Sequence, residues 1–538
     1  MITLLIARPL RLDWTYMKPA LVLSLALIFN PVANAASQGR SYDICAAWVS
    51  GIADPACGQP KKPPATAQDF AAILSKGDVV CLGNGKQKPG TVRASVIAEL
   101  VGDKKWHDAM HAHGVRLCNA SVEGSLDLSD QVLKIPLVLE FTTFNTPPNF
   151  DSMRTSRYVS LAGSTVSCPK SAKEKVLFTD AQIDGKLDLR GVQSVAEIDM
   201  GHIRVSGPLF MNSMPMPKNV PERRAIFNRV VISSSHIGEK ISLEGASIGD
   251  PKDCPALTDR ESEQRPSVDL AGSDVGADVN MKDKFKAGFV KLQGATIRGD
   301  LDIEDSAIDS LNLAEATVKG TFTVGGGKDW KPGNSLSMHD AVLGEVHGVD
   351  PAKWPATTSI AGATFGRIGR LFAQSDASEA QNFVDKLISW LDKQDDTQAY
   401  VTFAMGLDRE GRYDEANAVR FAGKQKERCT AHGWRWWWLS FILVTVGYGY
   451  YKAIALLWCA LLVAVGAMLF RTTPESRHKG MPYGIFYSVD MLLPIIRLRE
   501  MHYKIDIKGY ARYYFYFHKI VGWVLGSILV AALGGFLK

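Results

Sequence analysis

Several things are missing from this sequence. None of its eight cysteines forms a C-x-x-C pair, which disfavours thioredoxin-like chemistry and zinc ribbons. It has no G-x-G-x-x-G after a strand, no C-x-x-C-H and no iron–sulfur cysteine spacing, so no dinucleotide, haem or cluster cofactor is implied. Dense basic runs with interleaved aromatics are absent, and the net charge is +5 over 538 residues. Nucleic acid is therefore not an expected partner. There is no long low-complexity tract. With 46% apolar and 22% charged residues, the composition is that of a globular protein with membrane segments.

The N-terminus carries a targeting pattern. Met17-Lys18 precedes an apolar run from Ala20 to Phe29, Pro31 breaks the helix, and Ala33-Asn34-Ala35 forms an A-x-A cleavage site. The run is too short to span a bilayer. Residues 1–35 are read as a signal peptide, in which 1–16 is a long n-region or precedes a true start at Met17. The mature chain is then exported. Six cysteines lie in that part: Cys45, Cys57, Cys81, Cys118, Cys168 and Cys254. The favoured pairs are Cys45–Cys57, a short loop, and Cys81–Cys118, both in strand-like runs. Spacing alone cannot choose a connectivity.

Residues 36–114 read as an N-terminal cap, with a helix over 91–111. That helix ends in His107-Asp-Ala-Met-His111, followed by His113. His at i and i+4 share a face, but Asp108 replaces the glutamate base of a metalloprotease and no third ligand is evident. No metal site is expected.

The organising stretch is 292–308. A small residue, a β-branched residue, a turn glycine and an apolar-polar-apolar triplet follow in order: Ala295, Ile297, Gly299, Leu301-Asp302-Ile303. Alternation places Leu301 and Ile303 inward and Asp302 outward. The position of Ile297 recurs at Val122, Ile183, Val205, Ile237, Val275 and Val318, and gaps such as 275–297 are 22 residues. The apolar pair follows as Leu126/Leu128, Leu187/Leu189, Leu209/Met211, Ile241/Leu243 and Val279/Met281. A period near 22 with Gly-punctuated strands predicts stacked rungs over 115–370. The expected fold is mainly β, a right-handed parallel β-helix of about eleven rungs and about 50 Å. The stretches 123–182 and 245–274 are expected to hold degenerate rungs and loops.

The outward residue of each triplet is often acidic or an amide: Asp127, Asp188, Asn280 and Asp302, with Asp199, Asp269 and Asn312 as extensions. Stacked carboxylates could serve a carbohydrate-active enzyme as acid and base. Alternating polar residues also keep a solvated sheet soluble. Phe210 and Ser242 interrupt the row.

Residues 376–430 shift to helical spacing and resemble a tetratricopeptide-type hairpin, expected as a neck. In 434–538, Trp434, Trp436, Trp437 and Trp438 form an interfacial belt. Apolar runs at 453–470 and 520–537 are each long enough to span. The loop 471–519 carries nine Lys/Arg against four acids, which predicts a cytoplasmic loop. Thr445-Val446-Gly447-Tyr448-Gly449 spells the potassium-filter pentapeptide, although no outer helix precedes it.

Four motifs carry a resemblance: Val115-Arg-Leu-Cys-Asn-Ala-Ser-Val-Glu-Gly-Ser-Leu-Asp-Leu128, Thr445-Val-Gly-Tyr-Gly-Tyr-Tyr-Lys-Ala453, Tyr487-Ser-Val-Asp-Met-Leu-Leu-Pro494 and Gly522-Trp-Val-Leu525. Together they resemble an uncharacterised family of bacterial membrane proteins, sometimes named "membrane-associated oxidoreductase". The repeats are more distantly similar to pentapeptide-like β-helices. The resemblance implies no established activity, and no motif supports the oxidoreductase name. The expected protein is anchored in the bacterial cytoplasmic membrane, with an exported ectodomain that binds or scaffolds an envelope polymer or protein. A carbohydrate-active enzyme and an ion channel are the alternatives.

Overall fold

In the computed structural model, each pass of about 22 residues lays down four two-residue strands, and each strand pairs in parallel with its counterpart one pass later. The structure describes residues 44–50, 57–58, 66–83, 88–110, 114–171, 173–217, 220–249, 265–324, 334–347, 354–355, 357–368, 377–394, 396–478, 484–492 and 499–533. Residues 1–35, expected to be a signal peptide, Cys254 and the whole polar loop 250–264 lie outside them. The strands form two large parallel sheets of 20 and 15 strands. The chain is mainly β up to residue 368 and helical from Ala377 onward.

The rung 182–199 shows the pattern. Gln182–Ile183 and Leu187–Asp188 belong to the first sheet, and Gln193–Ser194 and Ile198–Asp199 to the second. One inward residue per strand builds a column. Ile183, Val205, Ile237, Val275, Ile297 and Val318 stack in one column, continued by Leu343 and Phe365. A second column runs Val115, Leu137, Val159, Leu187, Leu209, Ile241, Val279, Leu301, Phe322, Val346 and Ile368. At the usual spacing of about 4.8 Å per rung, those eleven positions span roughly 48 Å. All eleven are buried and belong to one continuous apolar core.

Two assignments differ from the sequence reading. Val122 pairs with Phe144 in the second sheet, not in the Ile297 column. Leu126 and Leu128 flank Asp127, whose bridge to Asn149 continues to Leu177, again in the second sheet. The four sides of a rung share one local pattern, so spacing fixes the period but not the side. The stretch 123–182 is also more regular than expected, since Leu133, Thr155 and Ile183 stack in register.

Two backbone requirements explain the punctuation. One corner is left-handed at every pass, and Asp130, Ser152, Asp180, His202 and Ser234 occupy it with φ between 54° and 57°. Asp and Asn tolerate that conformation better than most residues. At the corner after the first strand, rungs approach closely. A Cβ on Gly276 would lie 2.0 Å from the Gly238 carbonyl oxygen, and one on Gly344 would lie 2.2 Å from that of Lys319. The glycine of the repeat is therefore a steric requirement of stacking.

The N-terminal end is covered. The expected helix over 91–111 is instead a strand, Gly90–Arg93, and two helices, Ala94–Gly102 and Lys104–Ala109, broken where Asp103 caps the second. Val92 has helical spacing with Val96 but pairs with Val122 across the sheet. The four cysteines Cys45, Cys57, Cys81 and Cys118 are all oxidised, in the pairing Cys45–Cys118 and Cys57–Cys81, with Cα separations of 5.7 and 5.6 Å. This corrects the favoured pairing. Cys81 and Cys118 are register partners on adjacent parallel strands; Cys118 bonds Cys45 in the 44–49 helical segment, and Cys81 bonds Cys57 on the strand Cys57–Gly58 that extends the first sheet. Cys168 is disulfide-bonded too.

The other end is closed by three helices, Ala377–Leu391, Gln398–Arg409 and Tyr413–Thr430. Phe403 packs between Trp354, Phe365 and Trp390 at centroid distances of 5.0–5.9 Å. Glu410 accepts the Ile368 N–H at 2.8 Å, and the Arg409 guanidinium donates to the Phe365 carbonyl. Those contacts satisfy backbone groups that the last strand would otherwise leave open.

Beyond the neck, Trp434–Val446 is a short helix, and Lys452–Arg471, Ile485–Leu492 and Tyr510–Leu533 pack together. Among the described residues one helix, Ala453–Arg471, is long and apolar enough to cross a membrane, with a mean hydropathy of 2.6. Its Leu456, Leu457, Leu461 and Met468 are exposed, as are Trp434, Trp437, Tyr513, Phe517, Ile520 and Trp523 around it.

Gly276→Ala is expected to cost about 3 kcal/mol, because the added methyl overlaps backbone of the previous rung. Gly294→Ala meets no atom within 4 Å but keeps φ at +66°, and should cost only about 1 kcal/mol. Thermal melts of the two variants in detergent test the order; equal losses would contradict the stacking argument.

Candidate functional site

The predicted acidic row divides in two. Asp188, Asn280 and Asp302 share one outward column, with Phe210 and Ser242 between them. Asp199, Asp269 and Asn312 share another, on the second sheet with Asp127. Most have a local task. Asp127, Asp199, Asp269 and Asp302 each accept the N–H two residues ahead at 3.0–3.2 Å, and Asn312 does so at 2.9 Å. These are Asx turns that shape the corner. Asp188 and Asp302 stand four rungs apart, about 19 Å along the stack. Paired glycosidase carboxylates lie about 5–9.5 Å apart. The structure thus does not bring Asp127, Asp188 and Asp302 together.

Asp188 differs from the rest. Its side chain is 1% exposed and is gripped by Lys186 Nζ at 3.0 Å and by Arg190, Nε at 2.8 Å and Nη2 at 2.6 Å. Burial opposes its ionisation, yet Arg190 and Lys186 hold its carboxyl below the usual range. One rung up, Ser160 donates to Glu140 Oε1 at 2.9 Å. Glu140 is 4% exposed, and its Oε2 has no hydrogen-bond partner. Burial pushes the Glu140 carboxyl up to about 7, and the Asp188 charge adds to the shift. Glu140 is also the register partner of Cys118, whose disulfide ties down the 44–49 helical segment.

Outside this buried pair lies an aromatic surrounded by cations. Phe210 points outward on the rung after Asp188 and is half-buried. The Arg190 guanidinium carbon sits 5.5 Å from its ring centroid and Lys240 Nζ sits 5.7 Å away. Lys186 Nζ lies 5.7 Å from the Tyr158 ring. Two cations thus pair with the buried Asp188 carboxylate, and a third, Lys240, joins Arg190 at the Phe210 ring. No protein-family model matches this chain, and neither does any curated protein or solved structure.

The remaining sequence-predicted positions do not join this flank. Thr445 and Val446 end a helix, Gly447 closes it in the left-handed region, and Tyr448 and Gly449 also have positive φ. The Gly447 carbonyl accepts the Tyr450 N–H at 3.1 Å, so the pentapeptide is a chain reversal rather than an extended run of carbonyls. His111 and His113, and the side chain of His107, lie outside the described residues. Among the described residues no group of three or more His, Cys, Asp or Glu is placed to hold a metal ion. Sequence reasoning passed over Glu140, Arg190 and Lys240, and took Phe210 only as a break in the acidic row. The available signal was Phe210 itself, an apolar residue at an outward position.

In the native state Glu140 keeps its proton to about pH 7, whereas unfolded Glu loses it near 4.5. The native state therefore binds more protons in that window, and its stability falls as pH rises through it, by roughly 3 kcal/mol at most. Glu140→Gln should remove this fall. The expected result is a larger gain in melting temperature at pH 8 than at pH 5; an equal gain would disprove the linkage.

Proposed function

We propose that this protein is a membrane-anchored scaffold of the bacterial cell envelope, whose stacked ectodomain binds an anionic polymer on the Lys186–Arg190–Phe210–Lys240 flank. The ectodomain is a right-handed parallel β-helix outside the cytoplasm. Residues 1–35 direct export, and the C-terminal helices hold the chain in the cytoplasmic membrane by more than one pass, with 471–519 inside. The observation that carries the binding role is Phe210, an outward aromatic flanked by two cations on an otherwise polar face. Aromatic faces stack on sugar rings, and cations attract carboxylate or phosphate substituents. The disulfides Cys45–Cys118 and Cys57–Cys81 support an oxidising compartment. The exposed apolar surface of Ala453–Arg471 and the surrounding Trp and Tyr residues support bilayer contact.

The test uses full-length protein in detergent with polygalacturonate as the anionic probe and dextran as the neutral control. Binding is expected to polygalacturonate only and to weaken as salt is raised. Phe210→Ala and Lys240→Ala should each reduce affinity about tenfold. Equal retention of dextran, or binding indifferent to both substitutions, would refute the proposal.

A further inference from the structure

The packing of the C-terminal helices encloses a polar chain that the binding role does not use. Ser488, Asp490, His502 and His518 are each at most 2% exposed. Asp490 Oδ2 pairs with His502 Nδ1 at 2.8 Å and accepts the Arg499 N–H at 3.3 Å. His518, on Tyr510–Leu533, meets a different set of partners. Its Nε2 lies 3.0 Å from the Ser488 carbonyl and 3.4 Å from Ser488 Oγ. Its Nδ1 lies 3.2 Å from the Tyr514 hydroxyl, which in turn lies 3.1 Å from the Leu462 carbonyl. Leu462 is the central residue of Ala453–Arg471. Room for the imidazole comes from Gly466, where a Cβ would fall 2.2 Å from Ser488 Oγ and 3.3 Å from His518 Cε1.

Counting protons constrains this chain. A carbonyl only accepts, so His518 Nε2 carries a hydrogen that it donates to Ser488. The Tyr514 hydroxyl has one hydrogen and two acceptors in reach. With neutral His518, that hydrogen goes to Nδ1. With His518 doubly protonated, Nδ1–H donates to the Tyr514 oxygen and the hydroxyl turns its hydrogen to Leu462. Every group is satisfied in both arrangements, so neither leaves a buried donor orphaned.

We infer that His518 is a reversible proton-binding site at the centre of the helical bundle, with the Tyr514 hydroxyl switching between the imidazole and the Leu462 carbonyl as the proton comes and goes. The titratable groups nearest His518 are Tyr514 on its own helix, Tyr487 and Asp490 on Ile485–Leu492, and His502 and Tyr503 on Glu500–Tyr503; Lys519, the next residue, turns to the Tyr503 ring at 5.6 Å, and the other ionisable groups of the two helices are Tyr510, Arg512, Tyr513, Tyr516 and Glu500. Ala453–Arg471 offers the Leu462 carbonyl, Gly466 and, one turn earlier, Cys459. Asp490 is taken up by His502, and the rings of Tyr487 and Phe515 stand between that pair and His518 (centroid distances of 5.1–5.7 Å). The direct hydrogen-bond partners of His518 are therefore Tyr514 and Ser488, and neither is a carboxylate. A polar group so deep in an apolar bundle is a functional feature more often than a structural one.

The experiment is nitrogen NMR of ¹⁵N-histidine-labelled full-length protein in phosphatidylglycerol-containing nanodiscs, from pH 4 to pH 8. His518→Gln assigns the signal, and Tyr514→Phe, a milder change, perturbs it. The expected neutral form is the Nε2-protonated tautomer, converting to the doubly protonated ring as pH falls. Tyr514→Phe should lower the midpoint by about one pH unit, because the Nδ1–H of the cation loses its acceptor. A ring that stays neutral throughout, an Nδ1-protonated neutral tautomer, or a midpoint unmoved or raised by Tyr514→Phe would overturn the inference.

Discussion

Register between successive rungs is the constraint on which the rest of this protein depends. Each inward residue is stacked on its equivalent about 22 residues earlier, so the core is a set of columns and not a set of individual contacts. A rung cannot bury its own apolar face and gains that burial only from its neighbours. The same register fixes the outward residues, and it is what sets Phe210 next to Asp188, with Arg190 and Lys240 on either side of the ring. The Phe210 flank is thus a by-product of stacking order. Inserting a single residue between Leu187 and Leu209 would move Phe210 to the interior and dissolve it.

Much of this architecture was legible in the sequence, and the limits have physical causes. The period near 22 was readable because every rung repeats an inward residue, a tight corner and an apolar pair. Which side of the rung each copy occupied was not readable, because all four sides share the same short motif; Val122 and Leu126 were misplaced for that reason. The cysteines Cys45, Cys57, Cys81 and Cys118 stood out as candidates for disulfides, but their pairing depends on which strands lie side by side. The outward acids looked like one row of possible chemistry. Their dominant work is to accept a backbone N–H two residues on, a local task that sequence spacing cannot tell apart from a ladder. His518 escaped notice because its partners Ser488, Tyr514 and Leu462 come from three helices.

The two polar clusters of the molecule follow opposite electrostatic strategies. Around Asp188, charge is retained, with Lys186 and Arg190 supplying compensation that burial would otherwise make costly. Beside it, burial and the Asp188 charge keep Glu140 protonated up to about pH 7. In the helical bundle, His518 has hydrogen-bond partners for either protonation state and no carboxylate bonded to it. The first arrangement favours rigidity, and the last leaves a choice of state open.

The closure of the stack by Glu410 and Arg409 has a mechanical consequence. A pull applied at Phe210 would pass towards the C-terminal helices through each rung between Phe210 and Ile368 in series. Most junctions in the series are ladders of backbone hydrogen bonds over large buried columns. The junction at Ile368 and Phe365 adds side-chain bonds from Glu410, Arg409 and Trp390 to an apolar core that continues from the last rungs into the three helices. The neck therefore extends the load path of the columns and does not interrupt it.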